Sequence, residues 1–329
     1  MRTGRIIAQR VPDFFVVGSP KAGTTSLYHM LRAHPEVFMP ELKEPRFLAD
    51  DMRPRSGFSD GRHDAGYPTT LEQYLELFAD AGGEQRVGEA STFYLWSRSA
   101  AARIAELQPD ARIVAILREP ASFLRSLHFM YLNWHVETER SLREAIAIEP
   151  ARRDGRHIPP TSHRPQLLQY SEHVRYVEQL NRYYEHFSPG RVLVLIYDDF
   201  RSDNEATVRR ILRFLEVDDQ HPIDLMNVNV SKRTMARSEP LGRALRSTSM
   251  GGSVLARSAK ATVKSLTTQP LRRAALRTIQ RRNTVAAPPP PPDERLMVEL
   301  RERFKPEVVA LGELLGRDLA SQWGYDRLA

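Results

Sequence analysis

The sequence contains no cysteine and no long hydrophobic run, and these two absences exclude whole classes of protein. Without cysteine, the 329-residue chain cannot form disulfides, thiolate metal sites or thiol nucleophiles. No stretch of 18 apolar residues occurs, so the sequence predicts no membrane-spanning helix. The first ten residues carry three arginines and no apolar segment, so we expect a cytoplasmic rather than a secreted protein.

Acidic residues are almost absent from one segment, and positive charge is concentrated there. The whole chain has 48 Lys and Arg against 41 Asp and Glu, a net charge of +7. Residues 231–285 contain 13 Lys and Arg and one acid, Glu239, so this segment carries +12 and the remainder −5. We therefore expect a mildly acidic body with a basic insert over 231–287. The insert has no aromatic residues to stack on bases, so we expect no nucleic-acid partner.

Three buried strands separated by helices predict a parallel α/β sheet. The runs over 13–18, 111–117 and 191–197 are rich in Val, Ile, Leu and Phe, as in strands covered on both faces. Strand–helix–strand alternation gives right-handed crossovers, so we predict a three-layer, P-loop-like α/β fold with a mostly parallel central sheet flanked by helices. Residues 34–70 look irregular. The remaining predicted elements are a short strand over 86–89 and helices that begin at Thr24 or lie over 71–78, 97–107, 120–134, 166–187 and 204–215.

The domain organisation follows from where the alternation of strands and helices gives way to the basic insert. We predict one domain over 1–329, with the basic insert over 231–287 and a final helix over 293–315. Leu296, Leu300 and Phe304 recur on one face of that helix, so we expect it to dock on the body. The insert is consistent with a solvated flap, a cationic lid over a nucleotide or acceptor, or a surface that contacts an anionic membrane.

The loop over 18–25 has the features of an anion site. It lies between a predicted buried strand and a predicted helix, where unpaired N–H groups and the helix dipole favour negative charge. Its two glycines have the spacing of a Walker loop, but Lys21 precedes Gly23 by two residues instead of following it. The strand over 111–117 is followed by Arg118 and not by an acid that could hold Mg²⁺. The pattern indicates a second anion that is bound by a cation without metal.

These motifs resemble those of sulfotransferases that use 3′-phosphoadenosine 5′-phosphosulfate (PAPS), of the bacterial and heparan-sulfate type. The segment SPKAGTTSL over 19–27 resembles their phosphosulfate loop, and Arg118 with Ser126 eight residues on resembles their 3′-phosphate site. Segments 43–47, 88–94 and 315–319 extend the similarity. The resemblance implies that the PAPS-binding residues are Lys21, Ala22, Gly23, Thr24, Thr25, Ser26, Arg118 and Ser126, with Lys232 and Arg233 as further partners of the 3′-phosphate.

The resemblance also implies a mechanism of metal-independent, in-line sulfuryl transfer. Glu44, in the segment KEPRF, would be the general base, and Lys21 would stabilise the leaving phosphate. Glu89 is an alternative base or a structural residue. Heparan-type members commonly have Lys at position 90 and His at position 46, where this chain has Ala90 and Arg46, which argues against a heparan-like acceptor. No histidines or carboxylates have metal-ligand spacing, so we expect no metal.

Two other functions fit parts of the pattern. A nucleotide-dependent kinase or NTPase would use the same strand, loop and helix, and a non-catalytic anion or nucleic-acid binder would use the insert. The acceptor could be a small alcohol, a glycan, a lipid or a peptide tyrosine, and the sequence does not specify the oligomeric state. We expect Trp96, Tyr131 and Trp134 to be core residues rather than a stacking platform, and His128 to be a packing residue.

Overall fold

A computed structural model of the chain describes residues 10–52, 67–162, 164–225, 234–236, 284–286 and 291–328. Five parallel strands form its central sheet in the order β2-β3-β1-β4-β5. These strands are β1 (Phe14–Gly18), β2 (Val37–Phe38), β3 (Arg86–Ala90), β4 (Arg112–Leu117) and β5 (Val192–Ile196). Because β1 lies between β3 and β4, the strand order reverses there, which opens a crevice at the carboxyl ends of the strands.

Helices cover both faces of the sheet. Within the described part of the chain they are α1 (Thr24–Arg32), α2 (Leu71–Glu76), α3 (Ala100–Leu107), α4 (Pro120–Asn133), α5 (Leu142–Ala147), α6 (Glu149–Arg153), α7 (Tyr176–Tyr184), α8 (Tyr197–Ser202), α9 (Asn204–Leu215), α10 (Glu294–Leu315) and α11 (Leu319–Gln322). Single 3₁₀ turns lie at Asp50–Met52, Pro165–Leu168, Tyr170–Val174 and Pro189–Arg191.

Alternation along the strands divides the core into two layers. Phe15 and Val17 of β1 join the layer under α3, α4, α7 and α10, whereas Phe14 and Val16 join the layer under α1 and α9. Strand β4 alternates in the same way, and its apolar side chains are fully buried. A strand with two apolar faces can only lie inside a sheet covered on both sides. The predicted three-layer α/β fold is confirmed.

The structure corrects the sequence prediction at three places. The helix predicted over 166–187 is instead two 3₁₀ turns and α7, because ψ is 78° at Gln169 and 62° at Arg175. Between these breaks Tyr170 donates to the carboxylate of Glu137, and Ser171 donates to the carboxylate of Glu149. The segment predicted to be irregular contains the short strand β2, which pairs with β3. The helix α8 begins directly after β5 and was not predicted.

The C-terminal helix forms where the sequence predicted it. Asp293 caps α10 by accepting from the N–H of Leu296 at 3.0 Å, and the predicted apolar face is buried against α4 and α7. Short antiparallel strands β6 (Thr234–Ala236) and β7 (Thr284–Ala286) pair near the two ends of the predicted basic insert. The rest of the insert lies outside the described residues. Among the described helices, none combines the length and apolarity that a membrane span requires.

Candidate nucleotide and acceptor site

The loop between β1 and α1 lies at the carboxyl edge of the sheet and leaves the start of α1 open. The N–H of Ser19 donates to the carbonyl of Ile116 in β4 at 2.7 Å, which holds the loop against the neighbouring strand. The first N–H groups of α1, at Thr24, Thr25 and Ser26, have no partner within a helix, and no side chain caps the helix at Gly23. Together with the helix dipole, these groups form a binding site for an anion.

Gly23 is required both by its backbone conformation and by its neighbours. Its φ is 82°, in the left-handed region that favours glycine. A Cβ at this position would lie 2.7 Å from Cε1 of Phe200 and 3.3 Å from Cε2 of Tyr197, both in α8. Helix α8 therefore packs directly against the loop, a contact that the sequence did not predict.

Arg118, the first residue after β4, connects the loop to α8. Its Nη1 donates to the carbonyl of Lys21 at 3.0 Å, and its Cζ lies 5.0 Å from the centre of the Tyr197 ring. The Tyr176 hydroxyl donates to the Arg118 carbonyl at 2.8 Å. Burial lowers the pKa of Arg118, although Tyr197 and Asp198 oppose this effect. These contacts with a carbonyl and a ring hold the guanidinium in place without neutralising its charge.

Four further residues were predicted to bind the nucleotide, namely Lys21, Ser126, Lys232 and Arg233. Lys21 is half-buried in the loop and adopts a left-handed φ of 65°. Ser126 lies on α4, two turns after Arg118, and is partly accessible. Lys232 and Arg233 lie outside the described residues.

The candidate base, Glu44, lies in a network of charges beside the end of β3. Its carboxylate accepts from Nζ of Lys43 at 3.0 Å, from Nε of Arg46 at 3.1 Å and from the Thr92 hydroxyl at 3.1 Å. Nη2 of Arg46 also contacts it. Burial alone raises the pKa of Glu44, but the charges of Arg46 and Lys43 outweigh burial and lower this pKa to about 2. Glu44 is therefore ionised at every physiological pH.

The backbone around Glu44 is strained and is held by the segment after β3. Glu44 and Arg46 have φ values of 61° and 54°, which are uncommon for residues other than glycine. The N–H of Glu44 donates to the Ala90 carbonyl at 2.9 Å, and the N–H of Arg46 donates to the Ser91 hydroxyl at 2.9 Å. Such strain persists only where surrounding contacts fix it, which is common at functional sites.

Glu89 is buried below this loop and has no contact with solvent. Its Oε2 accepts from the hydroxyls of Tyr74 at 2.9 Å and Tyr94 at 2.8 Å. Burial raises the pKa of Glu89 to about 7, although hydrogen bonds from Ser91, Tyr94 and Tyr74 lower it. The Tyr94 hydroxyl in turn accepts from the N–H of Leu48 at 3.1 Å. Through Tyr94, Glu89 is linked to the backbone of Leu48, four residues after Glu44. Its alternative role as the base stays a prediction.

Thr92 connects the two halves of the site. Its hydroxyl binds Glu44, and its carbonyl lies 2.7 Å from where a Cβ on Gly18 would be. The N–H of Leu95 donates to the carbonyl of Val17 at 2.8 Å, which holds the segment after β3 on the end of β1. Thr92 lies in segment 88–94, which resembles the family, but nothing in the sequence indicated its contact with Glu44.

The aromatic residues singled out in the sequence are in three different environments. Tyr131 is fully buried, as expected, whereas Trp134 is 41% exposed and the prediction that it lies in the core is wrong. Trp96 is half-buried and stacks on His173 at 4.7 Å between ring centres. His128 is buried and its Nε2 lies 2.9 Å from the Glu139 carbonyl, so it is a packing residue. Within the described ranges, no cluster of three or more histidines and carboxylates could hold a metal.

Comparison with known proteins identifies the family. The model of the sulfotransferase family matches residues 12–221, which include β1 to β5, the loop after β1, Glu44 and Arg118. This match covers well over half of the chain, and the chain belongs to the sulfotransferase family.

Similar proteins carry related names. Human carbohydrate sulfotransferase 15 is 33% identical in an alignment of 154 positions, and the match covers 35% of this chain and 26% of that protein. The mouse protein of the same name is 28% identical in an alignment of 255 positions, and the match covers 63% of this chain and 44% of that protein. Mouse bifunctional heparan sulfate N-deacetylase/N-sulfotransferase 4 is 27% identical in an alignment of 218 positions, and the match covers 63% of this chain and 22% of that protein. The chain thus spans less than half the length of these relatives.

A solved structure resembles the whole described fold. The crystal structure of a sulfotransferase from Alicyclobacillus acidocaldarius has a TM-score of 0.64 and 26% sequence identity. The match covers 95% of this chain and 98% of that chain. The fold, with its P-loop-like strand, loop and helix, is therefore that of a sulfotransferase.

Proposed function

We propose that this protein is an enzyme that transfers a sulfuryl group from PAPS to a hydroxyl or amine of an acceptor. The observation that carries the proposal is the anion site at the start of α1, with the guanidinium of Arg118 beside it and not neutralised by its contacts. Two separate positive features at one sheet edge fit a ligand with two separate anionic groups, as PAPS has. Family membership supports the same reaction.

The donor would be held by residues of three elements. The N–H groups and hydroxyls at Thr24, Thr25 and Ser26 suit the 5′-phosphosulfate, together with Lys21 and Ala22 of the loop. Arg118 suits the 3′-phosphate, together with Ser126, which lies eight residues further along the chain on α4. Strand β6, which starts directly after Arg233, lies near α4, and this supports the prediction that Lys232 and Arg233 complete the phosphate site.

Catalysis would rest on positioning and charge rather than on metal chemistry. PAPS supplies a sulfuryl group on a good leaving group, a bisphosphate. The Lys21 ammonium would stabilise the negative charge that develops on the leaving phosphate. Glu44 would accept the acceptor's proton, and it is already ionised for that role. Since its pKa of about 2 makes it a weak base, it would take the proton late, when the new O–S bond has made that proton acidic.

The remaining assignments are also proposals. We propose a single domain over 1–329 with the basic insert 231–287 and the docked helix 293–315. The acceptor class is open among glycans, lipids, small alcohols and peptide tyrosines, with glycans favoured by the names of the relatives. A cytoplasmic location remains a prediction.

Transfer from radiolabelled PAPS tests this function directly. The full chain would be incubated with ³⁵S-PAPS and a panel of glycans, phenols, alcohols and peptides, with and without EDTA. We expect label on one acceptor class, at the same rate with EDTA, and none with the Lys21→Ala variant. Transfer that requires Mg²⁺, or phosphoryl transfer from ATP in the same panel, would contradict the proposal and favour the kinase alternative.

A further inference from the structure

The C-terminal segment binds the helix that contacts the nucleotide loop. Arg317 donates from Nη1 to Oδ2 of Asp199 at 2.6 Å and from Nη2 to Oδ1 at 3.2 Å. Nε2 of Gln322 donates to the same carboxylate at 3.0 Å, and the indole of Trp323 donates to Asp198 at 2.9 Å. A two-point arginine–carboxylate contact fixes orientation as well as distance. We call residues 317–325 the C-terminal clasp.

The clasp also binds the start of α4. The hydroxyl of Tyr325 donates to Oε1 of Glu119 at 2.7 Å, and Tyr325 is fully buried. Glu119 is the residue after Arg118 and caps α4 by accepting from the N–H groups of Ala121 and Ser122. Arg118 adjoins the start of α4 in the chain and contacts the Tyr197 ring of α8. The clasp therefore binds both helices that position Arg118.

The contacts run without a gap from the clasp to the anion site. Asp199 is part of α8, the six-residue helix that also presents Tyr197 to Arg118 and Phe200 to Gly23. Helix α8 is too short to be stable by itself, so its position depends on what it packs against. The bidentate Arg317 contact is charge-assisted and restrains this position from outside the helix.

Charge gives the clasp a second role. Asp198 and Glu119 both act electrostatically on Arg118. The clasp donors Trp323 and Tyr325 occupy these two carboxylates. If the donors were removed, the carboxylates would compete with a phosphate for the guanidinium of Arg118.

We propose that Arg317 is a positioning residue for the nucleotide: through Asp199 and α8 it holds Tyr197 against Arg118 and so presets the phosphate site. This inference rests on the proposed function, because the ligand of the site is taken to be the nucleotide. Arg317 lies 199 positions after Arg118 in the sequence, beyond the basic insert, and the inference gives it a role in binding.

The test measures binding of 3′-phosphoadenosine 5′-phosphate (PAP) by calorimetry, which needs no acceptor. We expect Arg317→Ala and Asp199→Asn each to weaken PAP binding about tenfold. The control is Arg295→Ala, which removes an exposed arginine paired with Glu299 on α10 and should leave affinity unchanged. Assays run well below the melting temperature of each variant, and Asp199→Asn keeps the side-chain shape in case Arg317→Ala does not fold.

A double variant separates positioning from a general loss of stability. Tyr197→Leu removes the ring that α8 presents to Arg118. If Arg317 acts through this ring, Tyr197→Leu combined with Arg317→Ala should bind PAP about as weakly as the weaker single variant. Multiplied losses of about a hundredfold, or wild-type affinity in both Arg317→Ala and Asp199→Asn, would overturn the inference. Absence of PAP binding by the wild-type protein would instead overturn the proposed function.

Discussion

The two halves of the site differ in how their charged groups are paired. On the nucleotide side, the start of α1 has no side-chain cap, and Arg118 contacts a carbonyl and a ring. On the acceptor side, Glu44 is bound by Lys43, Arg46 and Thr92 at once. The first half is a preformed positive site that an anion completes. The second half is a closed ionic network, and under the proposed function an acceptor would have to rearrange its contacts to reach Glu44.

This difference explains why the two halves need different support. An open positive site needs rigid support from its surroundings, because the anion that pairs with the arginine comes only with the ligand. The backbone of the loop, Tyr176 and α8 provide that support. The closed network holds its own side chains, so its support acts on the backbone, through Ala90, Ser91 and Tyr94.

The largest effect should come from replacing the candidate base. Glu44→Gln should lower the rate of sulfuryl transfer by about 10²- to 10⁴-fold, the usual contribution of a general base, and leave PAP affinity within about twofold. The measurement is label transfer from ³⁵S-PAPS together with PAP calorimetry. Glu41→Gln, an exposed acid in the same loop, is the control. Equal loss of PAP affinity and rate would mean that the two halves are not separate.

Gly23→Ala tests the rigidity of the nucleotide half. The left-handed φ and the close approach of Phe200 should together cost about 2 to 4 kcal/mol of folding free energy. We expect a lower melting temperature and weaker PAP binding. Gly155→Ala is the matched control, since Gly155 has a φ of 81° but no atom within 4 Å of the position of its Cβ. An equal loss of stability in both variants would mean that contact with α8 is unimportant.

Glu89 should make stability depend on pH. Its folded pKa of about 7 lies above the ordinary value of 4.5, so the folded state binds more protons between these values. Stability from this group is therefore present at low pH and is lost as pH rises through 7. Between pH 5 and 8 the loss should be about 2 kcal/mol. Glu89→Gln should lack it, whereas the exposed Glu106→Gln should behave as wild type, as urea unfolding can measure.

The smallest effect should come from Ser126→Ala. One hydroxyl on a phosphate contributes about 1 kcal/mol, so PAP affinity should fall by roughly five- to tenfold. Ser188→Ala, at an exposed position before β5, is the control. No change in affinity would remove Ser126 from the phosphate site and leave the arginine there.

Much of this could be predicted from local sequence. The runs that became β1, β4 and β5 are apolar throughout, and such runs form buried strands wherever they lie. The loop and Arg118 follow two of these strands directly, so their place at the sheet edge follows from the strands alone. The prediction that Glu44 is the base rested on the resemblance of its segment to the family. The residues next to Glu44 in the sequence do not indicate its contact with Thr92.

What could not be predicted depends on contacts between distant segments. Strand β2 has two residues, too few for any periodic pattern, and exists because β3 offers an edge. In the sequence, nothing distinguishes Glu89 from the other acids among the 41. Only the structure shows that it is buried and bound by Tyr74 and Tyr94. The prediction of one helix over 166–187 was wrong for the same reason. The position of Tyr170 depends on its hydrogen bond with the distant Glu137 and not on the helical period.

The central claim is that Arg118 and the start of α1 form a metal-independent site for a nucleotide with two phosphate groups. Calorimetric titration with PAP, in EDTA, on wild type and Arg118→Ala tests it most directly, with ATP and Mg²⁺ titrated in parallel. Loss of an arginine from a charged contact costs about 2 to 4 kcal/mol. We predict clear PAP binding by the wild type that weakens about 30- to 1000-fold in Arg118→Ala. Binding of ATP with Mg²⁺ in place of PAP, or equal PAP affinity in both proteins, would contradict the account.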